Sequence, residues 1–125
     1  MPSPSRSLQK AITEWIAHAR THSPSDVSRD GTAIRLYADI GGTIFIRPDG
    51  SLISESEFPT DDKWQLDSRW RTVALVVGAR THPELRELLP TRPASAADCL
   101  MCSGSGIWNG LVCGACFGLG WTPAA

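Results

Sequence analysis

Four cysteines fall close together near the end of this 125-residue chain, at Cys99, Cys102, Cys113 and Cys116, in the spacing C-x2-C-x10-C-x2-C. Two thiolates three positions apart can converge on one ion from a single tight turn, and two such turns complete a tetrahedron. Each pair is followed by glycine at the second and fourth place: Cys102-Ser103-Gly104-Ser105-Gly106, then Cys116-Phe117-Gly118-Leu119-Gly120. The unit C-x-x-C-x-G-x-G thus occurs twice, with a period of 14 residues. Glycine relieves the steric penalty of positive φ where a chain must wrap a metal. The pattern predicts one structural zinc ion on Cys99, Cys102, Cys113 and Cys116. Four cysteine ligands leave no open position for water, so such an ion holds a fold together and does no catalysis. The same residues would also suit iron in a rubredoxin-like site, or disulfides in a secreted chain. A thioredoxin-like redox pair fits poorly, because that motif is one C-x-x-C at a helix start.

Elsewhere the chain offers little that could react. It contains no G-x-S-x-G, no G-x-x-x-x-G-K-[ST] and no H-E-x-x-H, the arrangements that build an activated serine, a phosphate cradle or a catalytic zinc. His18, His22 and His82 stand far from the cysteines in sequence. Asp61 and Asp62 beside Glu55 and Glu57 form an acidic cluster with no histidine or ligand spacing to join it. The expectation is a protein without enzymatic activity.

Twelve basic residues against thirteen acidic ones leave a formal charge of −1, and one zinc on four thiolates would add about −2 more. Phosphate contacts dominate nucleic-acid affinity, yet residues 98–125 contain no Lys or Arg. A nucleic-acid-binding zinc protein, with loop aromatics stacking on bases, is therefore disfavoured. Arg69, Arg71, Arg80 and Arg86 read as a solvated helical face interleaved with acids. No apolar stretch approaches the roughly 20 residues of a membrane span. The Ser- and Pro-rich start lacks the apolar core of a signal peptide, so a cytoplasmic location is expected. A protein partner remains the best-supported class. Five tryptophans, Trp15, Trp64, Trp70, Trp108 and Trp121, belong to the residue type most enriched at binding hot spots. Trp15 and Trp70 sit on helical stripes and suit a core. Trp108, with Leu111, Phe117 and Trp121, is the candidate contact surface.

The elements that carry these residues can be read in order. Residues 1–6 are expected to be a flexible tail. A helix starts at Ser7 as N-cap, with Leu8, Ile12, Trp15, Ile16 and Ala19 on one stripe, and ends near Thr21. Ile34, Leu36, Ala38 and Ile40 alternate over 33–40, the period of a half-buried strand. Strands at 43–47 and 51–55 flank Pro48-Asp49-Gly50, whose residues specify a hairpin turn. A second helix spans about 68–79 with Trp70, Val73, Ala74 and Val77 facing inward, and a short helix covers 83–89 after His82-Pro83. The result is an α+β protein. A small antiparallel meander of about three strands packs with two to three helices over 7–90, a Pro-containing connector covers 91–97, a zinc hairpin covers 98–121, and a tail follows at 122–125.

The doubled C-x-x-C-x-G-x-G at Cys99 to Gly106 and Cys113 to Gly120, closed by Trp121, resembles half of the cysteine-rich zinc region of DnaJ-type co-chaperones. That resemblance covers residues 98–121 and implies zinc ligation by the four cysteines and a chaperone-like adaptor role toward protein partners. The J-domain's His-Pro-Asp is missing, since His82-Pro83 is followed by Glu84. Stimulation of an ATPase is therefore not implied. The preceding segment, with a helix, a Gly-Gly step and a Pro-Asp-Gly hairpin, loosely resembles SUKH-type bacterial immunity proteins. That second resemblance implies an inhibitor with a toxin partner.

Overall fold

A computed structural model describes residues 3–39, 42–56 and 68–122. Leu8, Ile12, Ile16 and Ala19 recur at helical spacing and form the buried stripe of α1 (Arg6–His22). The cap is Ser5, not the predicted Ser7. Ser5 Oγ accepts from the Leu8 amide at 3.1 Å and donates to Glu87 Oε1 at 2.7 Å, while the Ser5 amide donates to Glu87 Oε2 at 2.8 Å. Glu87 does from a distant turn what a glutamate three residues on does in a local capping box. No local pattern could reveal it. Just before the cap, Pro4 is buried, and a Cβ on Gly50 would meet its ring at 2.8 Å.

Three strands form an antiparallel meander, β1 (Ile34–Asp39), β2 (Gly42–Ile46) and β3 (Leu52–Ser56). The predicted turn joins the last two: the Gly50 amide donates to the Arg47 carbonyl at 2.9 Å, and Asp49 Oδ1 accepts from the Ser51 amide. One expectation for β1 fails. Arg35 lies opposite Phe45 but Tyr37 opposite Ile44, so Leu36 is an extra residue on that strand. A bulge of this kind shifts the alternation by one. Tyr37 therefore takes the core-side place and Ala38 is exposed.

The second helix, α2 (Ser68–Thr81), runs two residues beyond its predicted end. Val73, Ala74, Leu75 and Ala79 are buried, and Gly78 lies so close under Leu36 that a Cβ would meet Leu36 Cδ2 at 2.6 Å. With partners on more than one side, α2 has no single apolar stripe. The short helix expected over 83–89 is present as a 3-10 helix at Pro83–Leu88. Pro90 bars Leu89 from helical dihedrals, and the short stretch left over adopts i→i+3 bonding, as in Leu85 N–H to the His82 carbonyl at 3.0 Å. Leu85 and Leu88 join the core formed by α1, the sheet and α2. Trp15 lies at its edge, stacked on His82 with centroids 3.9 Å apart. Ile40, Trp64 and the cluster of Glu57, Asp61 and Asp62 lie outside the described residues. Among the described residues no helix is long and apolar enough to cross a membrane.

Candidate metal centre

Beyond Pro90 the chain builds two knuckles between two short ribbons. β4 (Ala97–Asp98) pairs with β7 (Trp121–Thr122) and closes the base. β5 (Ile107–Trp108) pairs with β6 (Leu111–Val112) at the far end. Asn109 and Gly110 link that second pair at φ 56° and 77°, the double positive φ of a type I′ turn. An Asn-Gly dipeptide between apolar pairs is a strong hairpin signal.

The 14-residue repeat of sequence becomes a repeat of backbone. Ser103 and Phe117 have φ 55° and 58°, Gly104 and Gly118 have 84° and 88°, and Gly106 and Gly120 have 80° and 86°. The knuckles also hold each other. The Cys99 amide donates to the Gly120 carbonyl at 3.0 Å, and the Cys113 amide to the Gly106 carbonyl at 2.9 Å. A Cβ on Gly120 would stand 2.6 Å from the Gly104 carbonyl oxygen, and one on Gly106 would overlap the Gly118 carbonyl. Glycine is thus required at 106 and 120 both by dihedral and by space.

This framework brings the sulfurs of Cys99, Cys102, Cys113 and Cys116 within 4.8 Å of one another. The Cys99–Cys113 and Cys102–Cys116 pairs are each 3.8 Å apart, far beyond a disulfide bond. All four cysteines are buried, and they alone make up the module's buried cluster. The Gly106 and Gly120 amides each donate to a sulfur at 3.2 Å, on Cys102 and Cys116 respectively. Burial pushes the Cys116 thiol up to about 12. At Cys102 burial acts the same way but is outweighed by the Gly106 amide and neighbouring thiols, which bring it down to about 6. Buried cysteine sulfurs become thiolates when a cation supplies the opposing charge. The site is built to coordinate one metal ion, and none of the three histidines belongs to it.

The module is docked on the body. Gly118 lies against α2, where a Cβ would meet Val76 Cγ1 at 2.8 Å. Arg92 Nη2 in the connector reaches Asp98 Oδ1 at 2.9 Å, tying the proline segment to β4. The four candidate contact residues part company here. Trp108 and Leu111 are exposed, whereas Phe117 and Trp121 are half-buried and each lines a cleft against α2. Leu100 and Met101 are also exposed, Leu100 to 96%, and sequence reasoning missed them. The signal was available: the first C-x-x-C holds Leu-Met where the second holds Gly-Ala, and the middle of a knuckle points away from its metal.

Comparison with protein-family models, with curated proteins and with solved structures gave no match to this chain.

Proposed function

We propose that this chain is a non-catalytic zinc protein whose C-terminal hairpin is a protein-interaction module, acting as a chaperone-like adaptor or as an inhibitor of its partner. Sulfur separations of 3.8 Å match a tetrahedron built on zinc–sulfur bonds of about 2.3 Å. Free thiols held ready for a metal belong in a reducing compartment such as the cytoplasm. The observation that carries the interaction role is where apolar surface is exposed. Among the described residues, every exposed large hydrophobic lies in the metal module: Leu100, Met101, Ile107, Trp108 and Leu111. Apolar surface gathered on one small module marks a contact site, and a metal-braced hairpin presents it without ordering cost. The doubled C-x-x-C-x-G-x-G, with its resemblance to half of the DnaJ-type zinc region, supports the same reading.

The test has two arms. Native mass spectrometry of protein expressed without added metal should show one zinc and four displaced protons; iron, or a mass lower by two or four hydrogens, overturns the metal assignment. Crosslinking in cells should then capture a partner with the wild-type chain and lose it with Trp108→Ser/Leu111→Ser. Equal capture by both would refute the interaction role of the hairpin.

A further inference from the structure

The two clefts that flank the Val76–Gly118 contact share an uncommon charge pattern. The larger cleft, about 890 Å³, lies between β1, α2 and the metal hairpin. Its walls include Leu36, Val73, Val77, Leu111 and Phe117, and the tilted pair Tyr37–Trp70. Among the described residues its charged side chains are Arg35 and Arg80. The smaller cleft, about 410 Å³, is lined by Arg80 and Arg86 beside apolar groups such as Leu89 and Trp121. Among the described residues no carboxylate lines either cleft. Asp26 holds Arg35 from outside at 3.1 Å, and Arg80 on the last turn of α2 borders both clefts and is exposed. Among the described residues, apolar walls and one sign of charge meet here in an open groove that runs out to the exposed Leu111.

Resting on the interaction role proposed above, we infer that the groove between β1, α2 and the metal hairpin binds an acidic segment of the partner protein. Its large apolar side chains lie on Leu36, Val77 and Phe117, and its carboxylates face Arg35 and Arg80. Charge complementarity of this kind selects partners and registers them, while buried apolar groups supply most of the affinity.

The experiment uses the full zinc-loaded chain and fluorescence anisotropy with three labelled peptides. The first alternates Glu with Leu and Phe. The second carries Lys in place of Glu, and the third carries Ser in place of the apolar residues. The first peptide should bind, weaken with added salt, and lose about tenfold in affinity with Arg80→Glu, as expected for reversing a charge at a contact. The other two should fail. Zinc content of the variant, measured on the same sample, reports that it is folded. Comparable binding of the Lys peptide, unchanged binding by Arg80→Glu, or equal binding of a labelled single-stranded oligonucleotide would each overturn the proposal. So would a variant that loses zinc affinity with peptide affinity intact, because Arg80 would then serve the thiolate cluster. If the acidic peptide fails while Trp108-dependent crosslinking persists, the groove is refuted and the interaction module stands. If both fail, the module reading falls as well.

Discussion

A series of three glycine-to-alanine variants separates the two reasons for glycine in the metal module. Gly114 has an ordinary φ and open space where a Cβ would go. Gly110 has open space but φ 77°. Gly120 has φ 86°, and a Cβ there would stand 2.6 Å from the Gly104 carbonyl oxygen. Gly114→Ala should therefore be neutral or slightly stabilising, since alanine loses less chain entropy on folding. Gly110→Ala adds a left-handed residue costing about 1–2 kcal/mol, offset by an unfolded-state gain of about 0.4–1 kcal/mol. The net loss is about 1 kcal/mol. Gly120→Ala adds an overlap with backbone, a further ~1–3 kcal/mol, and that shift displaces the amide donating to Cys116 and the carbonyl accepting from Cys99. Because metal binding and folding of such a module are one process, these costs appear directly in zinc affinity. Competition against a calibrated chelator should show Gly114→Ala unchanged and Gly110→Ala weaker by somewhat less than tenfold. Gly120→Ala should be weaker by about thirty- to a thousandfold. If Gly114→Ala lost as much as Gly120→Ala, or Gly120→Ala bound like wild type, the steric account of the repeat would be wrong.

Three further outcomes are expected. Cys113→Ser should release the metal and unfold residues 98–121 while α1 and the sheet persist, visible as loss of zinc by mass and of dispersed hairpin resonances by NMR. Ser5→Ala should cost about 1 kcal/mol as a lost N-cap, read as a lower midpoint in urea; Ser7→Ala should leave it unchanged. Among the groups through which acid should act are Glu87 and His82. Glu87 lies below its usual value of 4.5 because the Ser5 hydroxyl and amide donate to it, so its contribution is present above that pH and is lost as pH falls through the lowered value. His82 lies below 6.5 mainly because of burial, against the opposing pull of Glu84 and Asp26. The folded state thus prefers it neutral, and stability falls as pH drops from 6.5 toward the folded value. Glu87→Gln should flatten a plot of midpoint against pH below about 4.5, and His82→Phe should flatten it just below 6.5. A plot unaltered by either change would refute that variant's assignment.

What could be read from the chain was whatever local chemistry decides. The clustering of the four cysteines follows from spacing, the β2–β3 turn from Pro48-Asp49-Gly50, and α1 from a regular apolar stripe. The misses share a cause, which is that the deciding partner lies far away in sequence. Ser5 is chosen over Ser7 because Glu87, 82 residues on, reaches its amide. Alternation failed after Arg35 because β2 pairs with β1 through a bulge, and nothing in Ile34-Arg35-Leu36-Tyr37 marks the extra residue. The inner face of α2 was drawn for a helix with one neighbour, whereas Val76 meets the metal module on another side. Only the Asn109-Gly110 turn and the Leu100-Met101 tip were local signals that went unread.

The docking of Gly118 on Val76 ties the four-cysteine site to surfaces beyond its own hairpin. The module's buried cluster consists of the four cysteines alone, so no apolar core of its own keeps residues 98–121 folded once the thiolates lose their cation. A structural zinc contributes on the order of 10–16 kcal/mol in small finger peptides, more than the net stability of most domains. Residues from Gly110 to Phe117 supply one wall of the larger cleft, and α2 with β1 supplies the other. Removing the ion should therefore do three things together. It should unfold the hairpin, scatter the exposed set of Leu100, Trp108 and Leu111, and open the cleft by taking away one wall. The α1–sheet–α2 core uses none of these residues and should survive. Chelation, followed by hydrogen exchange, distinguishes this coupling from two independent units. Exchange should rise across 98–121 and at the Val76 turn of α2, with protection of Ile12 and Ile44 unchanged. Protection at Val76 that stays at its zinc-bound level would show that the hairpin contributes nothing to the cover of α2.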